Sequence, residues 1–240
     1  MISIVTGTLN RVHLLPDLIK NTVDSNERLE LVLVDGGSID GTIEYIKNLN
    51  HERIKFIEVG ERSYYPHFMN LGIENSKFEY VCQWNDDVLL IDSWNDVISE
   101  LEEGYDFYLF NWKYGVIQDI ENEDWITGKN HYHPNKGWCI FDESTTSGHI
   151  VMNYGIYNKK IFREIGMYRN EFTYYWADSD MSRRANMFGY KHKALDKIKV
   201  CALTTDKRAI DNSTSESTYY KCVEEYKNKI LGDKIPFLKK

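Results

Sequence analysis

The sequence predicts an α/β protein whose mostly parallel central sheet is flanked by helices, and three observations predict it. Short apolar runs alternate with amphipathic stretches through the first half of the chain. The turns that join these repeated β-α units are short. The chain has 240 residues, 42% of them hydrophobic and 14% aromatic, enough to bury the core of one domain of ordinary size and too apolar for a largely disordered chain.

Each element follows from its own residues. Ile2 to Thr6 reads as a buried first strand. Val12, Leu15, Leu18 and Ile19 then share one helical face, and Pro16 is tolerated only in the first turn of that helix. Leu29 to Val34 is a second apolar strand, ended by Asp35-Gly36-Gly37-Ser38, and the helix that begins at about Asp40 carries Ile43, Ile46 and Leu49. Ile54 to Val59 is a third strand, Phe68 to Asn75 a helix, Tyr80 to Trp84 a fourth strand, and Trp94, Val97, Ile98 and Leu101 mark a further amphipathic helix. From about Tyr105 to Gly155 the periodicity gives way to interleaved Tyr, Trp and Gly, which reads as loops and antiparallel strands. Lys159 to Ile165 and Asp180 to Phe188 are short helices, the second with Gly189 as its C-cap. Ile198 to Leu203 is strand-like, Thr204 to Ser217 is a polar loop, and Tyr219, Val223, Tyr226 and Ile230 place a terminal helix after it.

Composition excludes several classes of function. With 29 Lys+Arg against 37 Asp+Glu the formal net charge is −8, which disfavours a general nucleic-acid binder, because phosphate backbones reward surplus basic residues. No apolar run reaches the roughly 18 residues of a membrane helix, and Met1 leads directly into Ile2-Ser3-Ile4-Val5, so a soluble cytoplasmic protein is expected. Cys82, Cys139, Cys201 and Cys222 are scattered without C-x-x-C spacing, which predicts buried thiols instead of a metal cage or disulfide framework.

Ligands of an open α/β sheet bind at the carboxyl ends of its strands, and here those ends carry chemistry. The first strand ends in Thr6-Gly7-Thr8-Leu9-Asn10-Arg11, the second in Asp35-Gly36-Gly37-Ser38 and the fourth in Asn85-Asp86-Asp87. Glycines let the backbone approach a ligand, and the helix N-termini that follow favour an anion. Paired carboxylates at a strand end suit Mg²⁺ or Mn²⁺, which take hard oxygen ligands and bridge substrate phosphates. By itself such a pair more often merely caps the next helix. His131-Tyr132-His133 lacks a third ligand at recognisable spacing and reads as solvated loop histidines.

Val34-Asp35-Gly36-Gly37-Ser38-Ile39-Asp40-Gly41-Thr42 resembles the V-D-D/G-G-S-x-D-G-T signature of family 2 glycosyltransferases of the GT-A fold. Further matches follow in order. Asn70-Leu71-Gly72-Ile73 is similar to that family's N-x-G-I helix, Trp84-Asn85-Asp86-Asp87 to its metal motif, and Gly166-Met167-Tyr168 to its G-x-F/Y. Trp176-Ala177-Asp178-Ser179-Asp180-Met181 stands where the family has E-D-x-D-L, and Arg184 with Gly189-Tyr190 completes R-x-x-x-x-G-Y, so the resemblance covers about residues 1 to 205. Gly36 replaces the commoner second Asp, Ala177 a frequent Glu, and Met69 an Arg, which leaves a phosphate contact for Arg11, Arg62 or Lys207-Arg208 to fill.

The resemblance implies a single GT-A domain over 1–240, with residues 1–104 holding a nucleotide-sugar and metal, 105–203 facing the acceptor, and 204–240 forming a polar loop and C-terminal helix. It implies inverting transfer from a nucleotide-diphosphate sugar, UDP being the favoured base, to a glycan or lipid-linked acceptor, with Mn²⁺ or Mg²⁺ as cofactor. Surface-polysaccharide synthesis, and a peripheral position at the membrane face, fit that acceptor class. Donor contacts fall to Thr6, Thr8, Asn10, Arg11, Asp35, Gly37, Ser38, Asn70 and Asp86, and the metal to Asp87 with Asp86. His192 or Asp206 is a candidate for completing the metal shell. Asp178, at a helix N-terminus that favours its anion, is the expected general base, with Asp180 the better cap. Trp176, His149 and Asp180 are acceptor-side candidates, and the polar stretch at 204–217 is placed to order over the diphosphate.

Two other readings compete. A nucleotidyltransferase would also use an acidic pair and a divalent ion, but would show a Gly-rich basic loop after the first strand, where this chain has one Gly and one Arg. A non-catalytic sugar- or nucleotide-binding protein would have no need of Asp87 and Asp178. Neither a G-x-x-x-x-G-K-[ST] loop nor a G-x-S-x-G elbow is present.

Overall fold

The computed structural model describes residues 1–115, 154–170, 172 and 177–203. In chain order the first elements are β1 (Ile2–Thr8), α1 (Leu15–Asn21), β2 (Leu29–Asp35), α2 (Thr42–Leu49), β3 (Ile54–Glu58), α3 (Tyr65–Asn75) and β4 (Tyr80–Gln83). Then come β5 (Val88–Leu90), α4 (Trp94–Ser99), β6 (Phe107–Gly115), β7 (Gly155–Asn158), α5 (Lys160–Ile165), α6 (Ala177–Met187) and β8 (His192–Leu203). The strands form one eight-stranded sheet in the order β3-β2-β1-β4-β7-β6-β8-β5. Pairing is parallel from β3 through β4, antiparallel on both sides of β7, parallel between β6 and β8, and antiparallel at β5.

Period-two alternation in the strands divides the core between two faces. Ile2, Ile4, Leu29, Leu31 and Leu33 point to one face, where they meet Leu15, Leu18 and Ile19 of α1, Ile46 of α2, and Trp94 and Val97 of α4. Val5, Val32 and Val81 point to the other, against Met69 and Ile73 of α3, Ile161, Phe162 and Ile165 of α5, and Met181 and Ala185 of α6. Glycine sets how near α3 comes to the sheet, since a Cβ on Gly72 would lie 2.2 Å from Val5 Cγ1 and one on Gly7 would lie 2.8 Å from the Phe68 ring.

Several expectations need correction. No helix directly follows Asp86-Asp87: the chain re-enters the sheet as β5, and α4 starts later, at a capping box in which Ser93 and Asp96 satisfy each other's backbone N–H. The pair is therefore not a cap for α4. α3 begins at Tyr65, because Pro66 fits its first turn. The aromatic region holds an antiparallel strand as expected, the nine-residue β6, which pairs antiparallel with β7 but parallel with β8, and whose Phe107, Tyr108, Leu109 and Phe110 are all buried. Alternation disappears in a strand that is covered on both sides. β8 starts at His192 and α6 at Ala177, each upstream of the expected start.

Among the described residues no helix is long and apolar enough to cross a membrane. Cys82 and Cys201 are buried, as expected of thiols in apolar surroundings. Cys139, Cys222, His131, His133, His149, Trp176, the polar stretch at 204–217 and the terminal helix lie outside the described residues.

Candidate active site

The order β3-β2-β1-β4 reverses direction at β1: the chain first steps outward from β1 to β2 and β3, then returns to lay β4 on the other side. Such a switch point opens a crevice beyond the carboxyl ends of β1 and β4, because their connections leave to opposite sides. The turns predicted to carry chemistry converge there.

The turn after β2 is folded around Asp35, which is wholly buried. Its Oδ1 accepts from the backbone N–H of Gly37 and of Ser38, both at 2.9 Å, and its Oδ2 accepts from the Ser38 hydroxyl. Gly37 has φ of 88° and no room for a Cβ, which would lie 2.9 Å from Gly60 O. Asn10, in the left-handed region at φ 54°, ties this turn to the one after β1: its N–H donates to Ser38 Oγ at 2.8 Å and its Oδ1 accepts from Ile39 N–H at 2.8 Å. Val12 N–H donates to Asp40 Oδ2 at 3.0 Å. The D-G-G-S turn and the T-x-N-R turn are thus one hydrogen-bonded unit. Thr6 is wholly buried within β1, and Thr8 stands at its end.

The acidic pair is held just as firmly. Trp84 donates its indole N–H to Val88 O at 2.9 Å, closing the turn between β4 and β5, and Leu203 N–H donates to Asp87 O at 2.8 Å. Thr8 Oγ1 donates to Asp86 Oδ2 at 2.9 Å, across the switch point. Arg11 Nη1 lies 3.4 Å from Asp86 Oδ1 and 3.0 Å from Asp87 Oδ2. The Asp87 side chain is the more open, at 24% exposure against 10% for Asp86. Two adjacent carboxylates around a positive charge are a donor set that a hard divalent cation fits, the other positions falling to water and phosphate oxygen. Among the described residues no group of three or more His, Cys, Asp and Glu side chains could hold a metal. His192 lies at the start of β8 and stacks on Phe107, whereas Leu203 at the other end of that strand touches Asp87. Strand rise separates them by on the order of 30 Å. His192 is therefore not the third ligand.

Asp178 occupies the first turn of α6, where the helix dipole favours a carboxylate. It faces a buried cluster of phenols. Tyr168 donates its hydroxyl to Gln83 Oε1 at 2.6 Å, and its ring packs edge-on to Tyr65 with centroids 5.5 Å apart. Burial above all, and then neighbouring charge that includes Asp178, pushes the phenols of Tyr65 and Tyr157 well up. Burial likewise raises Tyr168, with Asp178 again a contributor. These hydroxyls stay protonated through the neutral range. Because Gln83 ends β4, the cluster puts Asp178 near the carboxyl end of the strand that leads to the acidic pair. Sequence reasoning had Tyr168 only as a motif letter, and nothing in the pattern marked Tyr65 or Gln83.

Three predicted contacts take other roles. Asp35, wholly buried, spends both carboxylate oxygens on Gly37 and Ser38 and is a brace of its own turn instead of a contact to donor. Asn70 spends its carboxamide on the backbone of Tyr168, donating to the carbonyl at 2.7 Å and accepting from the N–H at 2.9 Å. Asp180 is wholly buried and paired with Arg184 at 2.9 Å and Arg169 at 3.7 Å, so it is neither a cap nor open to an acceptor. Arg184 also donates to the carbonyls of Ile165, Gly166 and Met167. Met69 is wholly buried and offers no phosphate contact.

The sheet is mixed and mostly parallel, with a crevice at its switch point of the kind in which α/β proteins bind nucleotides, and the matches that follow make it a GT-A fold. The profile of glycosyl transferase family 2 matches residues 3–203, and the chain belongs to that family. No curated protein sequence matches the chain. Among solved structures it is similar to a mannosyltransferase from Pyrobaculum calidifontis in complex with GDP-Man and Mn²⁺, with TM-score 0.66 and 17% identity over 97% of this chain and 64% of that one. It is also similar to S. aureus TarS residues 1–349 in complex with UDP-GlcNAc, with TM-score 0.62 and 18% identity over 95% of this chain and 66% of that one. For a further structure of S. aureus TarS the TM-score is 0.61 at 16% identity over 98% of this chain and 40% of that one.

Proposed function

We propose that this chain is an inverting, metal-dependent glycosyltransferase that moves a sugar from a nucleoside-diphosphate sugar to a hydroxyl of a glycan or lipid-linked acceptor. The observation that carries the reading is the acidic pair at the switch point, tied at once to Thr8 and Arg11 of the β1 turn. Support comes from the family, and from neighbours whose complexes hold GDP-Man with Mn²⁺ and UDP-GlcNAc. UDP remains the favoured base, on family frequency.

The crevice suits the donor. The nucleoside would lie against the Asp35–Asp40 turn, which Asp35 holds rigid and where Ile39 is exposed. Asp87, with Asp86 behind it, would hold Mn²⁺ or Mg²⁺, and such an ion supplies charge neutralisation to the departing diphosphate. Asp178 takes the proton as the acceptor oxygen bonds to the anomeric carbon and the bond from that carbon to the diphosphate oxygen breaks. One displacement inverts the centre. The buried phenols beside Asp178 exclude water from its inner side and fix where the carboxylate stands.

Thermal unfolding of wild type and Asp87→Ala with UDP, GDP, dTDP and CDP, each with and without Mn²⁺, tests the donor half. A ligand at 100 times its dissociation constant adds about 2.7 kcal/mol, a shift of roughly 5–10 °C at this size. A Mn²⁺-dependent shift with one nucleotide, lost in Asp87→Ala, is expected. No shift with any of them would overturn the reading.

A further inference from the structure

We propose that Arg11 is the resident counter-ion of the Asp86-Asp87 pair, and that it couples cation binding to nucleoside-diphosphate binding by weakening the first when the second is absent. The inference rests on the metal-dependent reading of the site above.

Arg11 is buried, with 7% of its surface exposed, although arginine is rarely hidden unless it is paired. One guanidinium nitrogen lies between the two carboxylates, within 3.4 Å of Asp86 and 3.0 Å of Asp87. Asp86 is engaged on its other oxygen by Thr8. The carboxylate oxygens a divalent cation needs are therefore already facing a positive charge, and a cation arriving alone must displace that contact while enduring repulsion from the guanidinium. A diphosphate changes the balance. Guanidinium binds phosphate oxygens through a planar fork, so Arg11 gains a new partner at the moment the carboxylates gain the cation. Position supports the exchange: Arg11 lies in the turn that leaves β1, across from the turn between β4 and β5 that carries both aspartates. Coupling of this kind is reciprocal, so the cation strengthens the diphosphate by the factor by which the diphosphate strengthens the cation.

The test measures Mn²⁺ binding by electron paramagnetic resonance, with Mn²⁺ alone and with Mn²⁺ plus UDP or GDP, on wild type, Arg11→Gln, Arg11→Lys and Asp87→Ala. Arg11→Gln removes the charge but keeps a donor for the carboxylates; it should bind Mn²⁺ alone at least about tenfold more tightly than wild type. Its gain in Mn²⁺ affinity from nucleotide should shrink by a similar factor. Arg11→Lys retains the charge and should bind Mn²⁺ alone within about threefold of wild type. Arg11→Met replaces the glutamine variant if circular dichroism shows that variant unfolded. Mn²⁺ binding that Asp87→Ala abolishes but neutral Arg11 variants leave unchanged or weaken overturns the inference and spares the metal site. Equal tightening in the lysine and neutral variants also overturns it, because charge would not be the cause. Failure of every protein to bind Mn²⁺, with or without nucleotide, overturns the metal-dependent reading together with the inference.

Discussion

The two sides of the sheet's carboxyl edge are held by different physics. On the donor side, short turns after β1, β2 and β4 bond to one another: Asn10 to Ser38 and Ile39, Thr8 to Asp86, Arg11 to both aspartates. On the α6 side, a buried ion pair inside the scaffold, Asp180 with Arg184, anchors the helix that presents Asp178 and pins three carbonyls of the turn after α5. In the first arrangement the groups that would touch ligand are the groups that hold the loops. In the second, holding and presenting are done by different residues two positions apart on one helix. Polar substitutions should therefore disturb binding and stability together on the donor side and separately on the other.

The largest expected effect tests that separation directly. Asp178→Asn should lower transfer by about 10²- to 10⁴-fold, the contribution of a positioned base, while nucleoside-diphosphate affinity and unfolding midpoint stay within error of wild type. Turnover assays with isothermal titration read both. Parallel loss of transfer and donor binding would place Asp178 in the donor site and dissolve the contrast.

Asp180→Ala, two residues away, should do the reverse. It strands the Arg184 guanidinium, 2% exposed, without its carboxylate, at a cost of about 3–5 kcal/mol. Urea denaturation should show that loss, and donor affinity of the folded fraction should be unchanged. The double variant Asp180→Ala with Arg184→Met should cost less than the sum of the two singles, because neither fully buried charge is then left without the other.

Ser38→Ala sharpens the donor-side half of the comparison. The hydroxyl bridges Asp35 and the Asn10 N–H, so its removal leaves a buried carboxylate oxygen and a backbone donor short of a partner, about 1–2 kcal/mol. Unfolding midpoint and nucleoside-diphosphate affinity should fall together.

The same contrast explains what the sequence made legible. β1, β2 and β4 could be read to within two residues at each end, since each is an apolar run bounded by turn residues, and the order of their turns already put Asp35 and Asp86-Asp87 on one edge. The N-x-G-I letters proved to be architecture: Gly72 for the approach to Val5, Asn70 for the Tyr168 backbone. Pair identities were less accessible. Asp180 and Arg184 stand four apart, the spacing of helical neighbours, but an Asp near an assumed helix start reads equally as a cap until the start is known to be Ala177. Arg11 with Asp86 and Asp87, and Tyr168 with Gln83, join residues more than seventy positions apart, and only the pairing of β1 with β4, and of β4 with β7, brings them together. β6 falls where antiparallel strands were expected and pairs so with β7, but its bounds could not be read, because a strand buried on both faces carries no alternation to detect.

The smallest effect concerns His192, at the far end of β8 from the acidic pair, and serves as the control for pH profiles of the site. Burial against Phe107, at 5.4 Å between ring centroids, pushes the imidazole below its ordinary value of 6.5. Above that value the ring is neutral in folded and unfolded chains alike, and pH has no leverage through it. As pH falls through 6.5 the unfolded chain takes up a proton that the folded chain refuses, so stability declines until the folded ring is also protonated. His192→Phe keeps the stack and removes the proton, and should flatten the unfolding midpoint below neutrality relative to wild type. Because His192 lies at the opposite end of β8 from Asp87, the acid limb of the transfer rate should not move in that variant; a shift there would mean that global stability, and not Asp178, sets the pH dependence of the reaction.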